Sequence, residues 1–68
     1  MRYELQQKQY NHHNPAKTRW DTIECFYDTE YGKQLASDTF DRMSRVDKHR
    51  TYRLVTVTEA TCVLKESA

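Results

Sequence analysis

The sequence is poor in the residues that interrupt regular structure. Gly32 is the only glycine and Pro15 the only proline among 68 residues. With one glycine, the chain has no glycine-rich loop whose backbone amides could surround phosphate groups. It also has few forced breaks, so we expect a small number of long strands and helices.

Cysteine is equally scarce, with Cys25 and Cys62 alone. Small secreted domains usually carry four or more cysteines, so we predict reduced thiols in the core, with a disulfide between the two as the alternative. Neither Cys-x-x-Cys nor His-x-x-x-His spacing occurs, and a metal site needs three or four converging ligands. The sequence therefore predicts no metal site and no cofactor.

The sequence also lacks a recognisable catalytic group. A thiol buried in a strand is normally inert. A chain of this length struggles to enclose a ligand pocket of about 300 Å³ or more. We predict no catalytic residue and a protein that is not an enzyme.

Long hydrophobic runs are missing too. No stretch approaches the ~20 apolar residues that cross a bilayer, and residues 1–10 lack the apolar core of a secretory signal. We expect a cytoplasmic protein with no membrane partner. Charged residues make up 31% of the chain but leave a net charge of +1. This balance favours one folded domain over residues 1–68 rather than a disordered polyelectrolyte.

Apolar residues alternate with polar ones at the start of the chain. Tyr3 and Leu5 share one side of residues 2–9, which predicts a half-buried strand. Residues 10–19 follow without apolar rhythm and contain the turn signal Asn14-Pro15. We predict a long connecting loop that projects from the body.

The same alternation predicts a second strand over residues 20–27. Ile23, Cys25 and Tyr27 fall on one of its faces, and Trp20 and Phe26 fall on the other. If the first set points toward a covering helix, Trp20 and Phe26 lie on the uncovered face.

Residues 30–46 have a helical rhythm. Asp28 or Thr29 provides an N-cap, and acids at the start with bases at the end suit the helix dipole. The predicted apolar stripe consists of Tyr31, Leu35, Ala36, Thr39, Phe40, Met43 and Val46.

Residues rich in β-branched side chains end the sequence. We predict a strand over residues 51–58 and a second over 61–65, or one long bent strand in their place. The resulting order is β-β-α-β-(β). We therefore predict an α+β fold, in which a small, mainly antiparallel sheet of three to four strands packs one face against one amphipathic helix.

This order of elements resembles small phage and prophage proteins. They commonly have an N-terminal strand, a Trp-containing strand ending in Phe-x-(Asp)-Thr, an amphipathic helix and a Tyr-Arg-(Leu/Val)-Val strand. The resemblance spans residues 20–57. The matching residues are Trp20, Phe26, Asp28, Thr29, Tyr52, Arg53, Leu54 and Val55. The long loop before Trp20 and the strand after Val57 depart from the pattern. The resemblance implies an accessory protein that binds a host protein, and it transfers no functional residue.

Charge is separated along the chain. Residues 5–20 contain three bases and no acid, residues 21–41 contain six acids and one base, and residues 42–53 contain five bases and one acid. Opposed patches of this kind set the orientation and the association rate of protein complexes.

Two binding functions follow from these patterns. In the first, an uncovered sheet face and the loop bind a protein, because Trp, Tyr and Arg dominate interface energies. The predicted protein-binding residues are Tyr10, His12, His13, Arg19, Trp20, Phe26 and Arg53. Edge strands and an uncovered apolar face also allow a homodimer.

In the second, the basic segment binds nucleic acid, with arginines on phosphates and Tyr52 stacked on a base. The residues of this alternative are Arg42, Arg45, Lys48, Arg50, Tyr52 and Arg53. The near-neutral net charge makes protein binding the preferred hypothesis.

Overall fold

The computed structural model of the protein describes residues 1–10, 13 and 18–67. These residues form strands β1 (Arg2–Gln9), β2 (Arg19–Tyr27), β3 (Tyr52–Val57) and β4 (Thr61–Glu66), and helix α1 (Glu30–Val46). The predicted α+β class is therefore confirmed, and the C-terminal segment forms two strands. His12, Lys17 and the predicted Asn14-Pro15 turn lie outside the described residues.

The four strands form one antiparallel sheet in the order β2-β1-β3-β4. β1 pairs with β2 on one side and with β3 on the other, so β2 and β3 run in the same direction. α1 connects these two strands and packs across β2, β1 and β3 on one face of the sheet. The opposite face, which carries no helix from residues 1–10, 13 and 18–67, is called the open face below.

Local signals fix both ends of α1. Thr29 is the N-cap, and its side chain accepts a hydrogen bond from the Gly32 amide at 2.9 Å. This bond satisfies one of the amides that a helix start leaves without a partner. At the other end the Asp47 amide donates to the Met43 carbonyl at 3.0 Å. The helix therefore occupies the residues that its sequence pattern predicts.

The core lies between α1 and one face of the sheet. Ala36 and Phe40 are the helix residues at its centre, with Met43 partly buried beside them. The sheet contributes Tyr3, Leu5, Phe26, Tyr52 and Leu54. Since one helix covers only this side, the sequence can build a single thin core.

The predicted helical stripe is wider than the surface that the sheet covers. Tyr31, Leu35 and Val46 are all exposed, although they share the apolar side of the helix. Ala36, Thr39 and Phe40 of the predicted stripe are buried, together with Gly32, which the stripe did not include. The buried stripe is centred on Ala36 and Phe40, and the predicted stripe extended from it onto the exposed flank of α1.

The opposite flank of α1 is tied to β4. The Lys65 ammonium donates to the Ser37 hydroxyl at 2.7 Å and to the Asp41 carboxylate at 3.2 Å. It also lies 5.8 Å from the ring centre of Phe40. Lys65 thus brings its edge strand into contact with the helix, which otherwise packs on the other three strands.

The predicted faces of β2 are wrong for Phe26. Phe26 is only 6% exposed and belongs to the helix-side core. Leu5 pairs with Glu24 but the next residue, Gln6, pairs with Thr22, so Ile23 is an extra residue in β2. A bulge of this kind reverses the alternation of faces. Trp20 therefore remains on the open face while Phe26 turns to the helix.

The prediction of core thiols is also wrong. Cys25 and Cys62 are free and exposed. They lie in β2 and β4, the two edge strands, where one side of the backbone has no neighbouring strand. β1 and β3 separate them, and the predicted alternative of a disulfide is not formed.

The close approach of α1 to β2 predicts that Gly32→Ala destabilises the fold. A Cβ at this position would overlap the carbonyl oxygen of Tyr27 and lie 3.1 Å from the Thr29 hydroxyl. In a free helix alanine is favoured over glycine by about 1 kcal/mol. Here we expect a net loss of about 1–3 kcal/mol in the free energy of unfolding, because the backbone at Tyr27 or at the start of α1 must move to make room for the Cβ.

Urea unfolding followed by circular dichroism measures this effect. Lys33→Ala, at the exposed neighbouring position, is the matched control and should change stability by less than about 0.5 kcal/mol. A Gly32→Ala variant as stable as wild type, or more stable, would contradict the packing of α1 against the end of β2.

Candidate functional site

A buried carboxylate lies at the centre of the open face. Glu4 accepts hydrogen bonds from the Arg2 Nε at 2.6 Å, from the Thr22 hydroxyl at 2.7 Å and from the side-chain amide of Gln6 at 3.1 Å. Both Glu4 and Gln6 are buried although no helix covers this face. The open face is therefore not the bare apolar surface that the sequence predicts, because a polar network covers its middle.

The donors around Glu4 set its acidity. The hydrogen bond from Thr22 lowers the pKa of Glu4, and those from Arg2 and Gln6 act in the same direction, while burial opposes them. The lowered pKa keeps Glu4 ionised, so its charge balances that of Arg2. The hydrogen bonds of this network fix the side chains in the middle of the open face, and its paired charges add little net charge to that face.

Cations and aromatic rings lie next to this network at one end of the face. The Arg53 guanidinium stacks 4.3 Å from the ring centre of Trp20, and the Arg53 Nε donates to the Gln6 side-chain oxygen at 2.6 Å. The Lys8 ammonium lies 5.9 Å from the Trp20 ring centre and 5.5 Å from that of Tyr10. Lys8, Tyr10, Trp20 and Arg53 are called the cation–aromatic stack below.

The charges of the stack are held by aromatic rings and by Gln6, with Glu66 as the cross-strand neighbour of Arg53. Among the described residues, neither Lys8 nor Arg53 forms an ion pair. Contacts with aromatic rings stabilise a cation by about 0.5–2 kcal/mol and leave its charge uncancelled. This end of the face is thus both ordered and positively charged.

The other end of the open face is more apolar. Val63 is exposed on β4 beside the fully buried Val55, and Tyr27 is 85% exposed at the end of β2. A shallow cleft of about 230 Å³ is lined by Arg2, Cys25, Phe26 and Tyr27. The face therefore offers an apolar region beside a cationic one.

A second cleft, of about 200 Å³, opens where β1 ends. It is called the terminal cleft, and its lining residues are Lys8, Gln9, Tyr10, His49 and Arg50. The turn between α1 and β3 forms one wall. Asp47 holds this turn, because it accepts from the His49 amide at 3.2 Å and from the Tyr52 hydroxyl at 3.0 Å. Burial raises the pKa of Tyr52, and the nearby Asp47 acts in the same direction.

The structure brings together only part of the predicted protein-binding set. Tyr10, Trp20 and Arg53 lie in the cation–aromatic stack, whereas the exposed Arg19 pairs with Asp21 at 3.2 Å and alternates with Trp20 onto the other face of β2. Phe26 is withdrawn into the core. His13 is exposed, and His12 lies outside the described residues.

The predicted nucleic-acid surface is divided. Arg42 and Arg45 are exposed on α1, whereas Arg53 lies on the opposite side of the sheet. Lys48 and Arg50 lie in the turn between them. Tyr52 was predicted to stack on a base, and this is wrong because its side chain is 1% exposed in the helix-side core.

Lys8, Gln6 and Glu4 are site residues that the sequence analysis missed. The signal was present, because alternation with Tyr3 and Leu5 puts these three side chains together on the other face of β1. What the sequence could not supply is the register that sets Gln6 opposite Arg53 and Lys8 opposite Trp20.

Three comparisons with known proteins give no further guide to this site. Comparison of the chain with protein-family models, with curated proteins and with solved structures finds no match. Within the described ranges, no group of three or more His, Cys, Asp or Glu side chains is placed to hold a metal ion. In the same ranges no helix has both the length and the apolar character needed to cross a bilayer.

The network around Glu4 predicts a pH dependence of stability. Because folding lowers the pKa of Glu4, its contribution is complete above the unfolded value of about 4.3 and is lost as pH falls through the lower folded value. Wild type should therefore be more stable than Glu4→Gln at neutral pH, and this difference should shrink on acidification.

Urea unfolding of both proteins across this pH range measures the difference. Thr22→Val keeps Glu4 but removes its strongest donor, so the pKa of Glu4 measured by NMR should rise in this variant. A stability difference that stays constant with pH would show that the native fold does not favour the ionised form of Glu4.

Proposed function

We propose that this chain is a non-enzymatic binding domain whose open face recognises an acidic surface of a protein partner. The observation that carries the proposal is the cation–aromatic stack. Trp20 and Tyr10 are held against Lys8 and Arg53 at one end of a sheet face that no helix covers.

The residue types of the stack support this role. Trp, Tyr and Arg are the residues that most often contribute large binding energies at protein interfaces. Arg53 is held by both the Trp20 ring and Gln6, so it loses little conformational freedom on binding. A preorganised arginine of this kind can bind a carboxylate in a bidentate manner.

Charge identifies the chemistry of the partner. In the described part of the chain Lys8 and Arg53 form no salt bridge, although Glu66 lies opposite Arg53 in the register, whereas Arg2 is neutralised by Glu4. The complementary surface therefore carries Asp or Glu opposite the stack and apolar side chains opposite Val63 and Tyr27. Such charge matching mainly sets partner choice and association rate.

The size of the face limits the strength of binding. Four strands of 8, 9, 6 and 6 residues, about 4.8 Å apart with a rise of about 3.3 Å per residue, present roughly 450 Å² of flat surface. A standard interface buries about 800 Å² per partner. Residues at the rim, such as Tyr10 and Arg19, must then contribute, and we expect stoichiometric and reversible binding.

An accessory role in the cytoplasm fits this proposal. The resemblance to small phage proteins implies a modulator that acts on a host protein by binding it. A second copy of the chain is the competing occupant of the open face and of the edge strands β2 and β4.

Nucleic acid is the alternative ligand. Lys8 and Arg53 beside Trp20 would suit a phosphate next to a stacked base. The division of the basic residues between the two sides of the sheet counts against it, because one strand of nucleic acid would not reach Arg42, Arg45 and Arg53 together.

Comparative affinity capture from a nuclease-treated lysate of the natural host tests the proposal. Arg53→Met and Lys8→Met keep the apolar stems and remove the charges of the stack. We expect each to lower recovery of the partner, counted by mass spectrometry, by at least tenfold, or about 1.4 kcal/mol. Trp20→Ala should do the same with the helical circular dichroism signal retained.

Arg42→Met is the matched control, because it removes one exposed charge from α1, on the other side of the molecule. It should leave recovery unchanged. A partner that is lost with Arg42→Met but kept with Arg53→Met would place the interface on the helix. If nuclease treatment abolishes recovery of the partner, and the affinity falls steeply as the salt concentration rises, nucleic acid is the favoured ligand. Recovery of this chain alone would favour the homodimer.

A further inference from the structure

We propose that the terminal cleft is a binding site for a phosphate group, either free or esterified to a side chain. The inference goes beyond the proposed function and does not depend on it. The cleft lies at the end of the sheet and takes His49 and Arg50 from the turn after α1, and neither residue belongs to the open face.

Among the side-chain donors of the cleft, only Arg50 has a carboxylate partner in the described residues, and that ion pair is long. The Lys8 ammonium contacts only the rings of Tyr10 and Trp20 among the described residues. The Arg50 Nε lies 3.7 Å from the Asp47 carboxylate, which is beyond hydrogen-bond distance. The structure also shows no bond from the His49 imidazole within the described ranges, since only the His49 amide reaches Asp47.

The fixed wall of the cleft makes these donors converge. Asp47 orders the turn by accepting from the His49 amide and the Tyr52 hydroxyl. The Lys8 amide donates to the Thr51 carbonyl at 2.9 Å, which joins the end of β1 to the same turn. Lys8 and Arg50 therefore face one volume from two segments that are distant in sequence.

Charge and size select the ligand. A phosphate monoester carries about −1.5 to −2 charges at neutral pH and has three acceptor oxygens. Lys8 and Arg50 supply two positive charges against the single carboxylate of Asp47, so the cleft keeps a net positive charge, and a guanidinium can donate to two phosphate oxygens at once. A volume of about 200 Å³ is large enough for a phosphoryl group, but ligand pockets for whole small molecules start at about 300 Å³. The rest of the ligand must lie outside the cleft, so a phosphorylated side chain and free phosphate are the two sources to distinguish.

Titration of the isotopically labelled chain, followed by backbone amide chemical shifts, tests the site. The probes are phosphoserine, inorganic phosphate and glutamate, each added at constant ionic strength. We expect saturable shifts at Lys8, Gln9, His49 and Arg50 with both phosphate probes. Tighter binding of phosphoserine identifies a phosphorylated side chain as the ligand, and equal binding identifies free phosphate.

Variants locate the binding and keep the test independent of the open face. Arg50→Met should weaken phosphoserine binding at least tenfold, whereas Arg53→Met and Arg42→Met should leave it unchanged. Arg50→Met should also retain the partner captured through the open face, so each proposal can fail without the other. Shifts that do not saturate, equal binding of glutamate, or an Arg50→Met variant with wild-type affinity would overturn the assignment.

Discussion

The extra residue in β2 determines which side chains form the core and which form the surface. Ile23 has no partner in β1, so the alternation of faces reverses between Thr22 and Phe26. Without this bulge, Trp20 and Phe26 would lie on the same side of the sheet. With it, Phe26 completes the core beneath α1, and Trp20 remains on the open face where Arg53 stacks against it.

The two faces of the sheet are consequently stabilised in different ways. On the helix side, apolar side chains pack around Ala36 and Phe40. On the open side, the middle of the face is closed by Glu4 and its three donors. A buried carboxylate that is fully hydrogen-bonded is tolerated where an unpaired one would be costly. This arrangement lets one helix support a four-stranded sheet and leaves only the ends of the open face available for contacts.

The topology also explains why the separated charges of the sequence meet in space. The antiparallel register sets Gln7 opposite Tyr52, so the end of β1 lies beside the start of β3. The two basic segments of the chain therefore converge on the stack and the terminal cleft. Near Trp20 and Arg50 the acids Asp21 and Asp47 pair with Arg19 and Arg50. Neither Lys8 nor Arg53 forms a salt bridge within the described residues; the proposed protein interface uses both, whereas the terminal cleft uses Lys8 with Arg50.

Much of the fold was predictable, because its signals are local. The cap at Thr29 and the periodic stripe fixed α1, and alternation fixed β1. The faces of β2 were not predictable, since Ile23 is an ordinary strand residue and the bulge exists only in its pairing with β1. For the same reason the sequence assigned Phe26 to the surface and Cys25 to the core. Tyr52 and Cys62 lie outside β2, and their burial depends on the position of α1 and on the edge location of β4. Trp20 and Arg53 were identified as binding residues from their type, but their mutual stacking depends on the register of three strands. Tyr31 and Val46 were predicted to be buried because the periodicity of a helix shows its apolar side but not the width that a sheet covers.

The central claim is that the bulge at Ile23 puts Trp20 and Phe26 on opposite faces of the sheet. A nuclear Overhauser spectrum of the labelled chain tests this claim most directly. The account predicts cross-peaks from the Trp20 indole to the side chains of Arg53 and Lys8, and from the Phe26 ring to Ala36 and Phe40. Cross-peaks from Trp20 to Ala36 or Phe40 would place it under the helix and contradict the account.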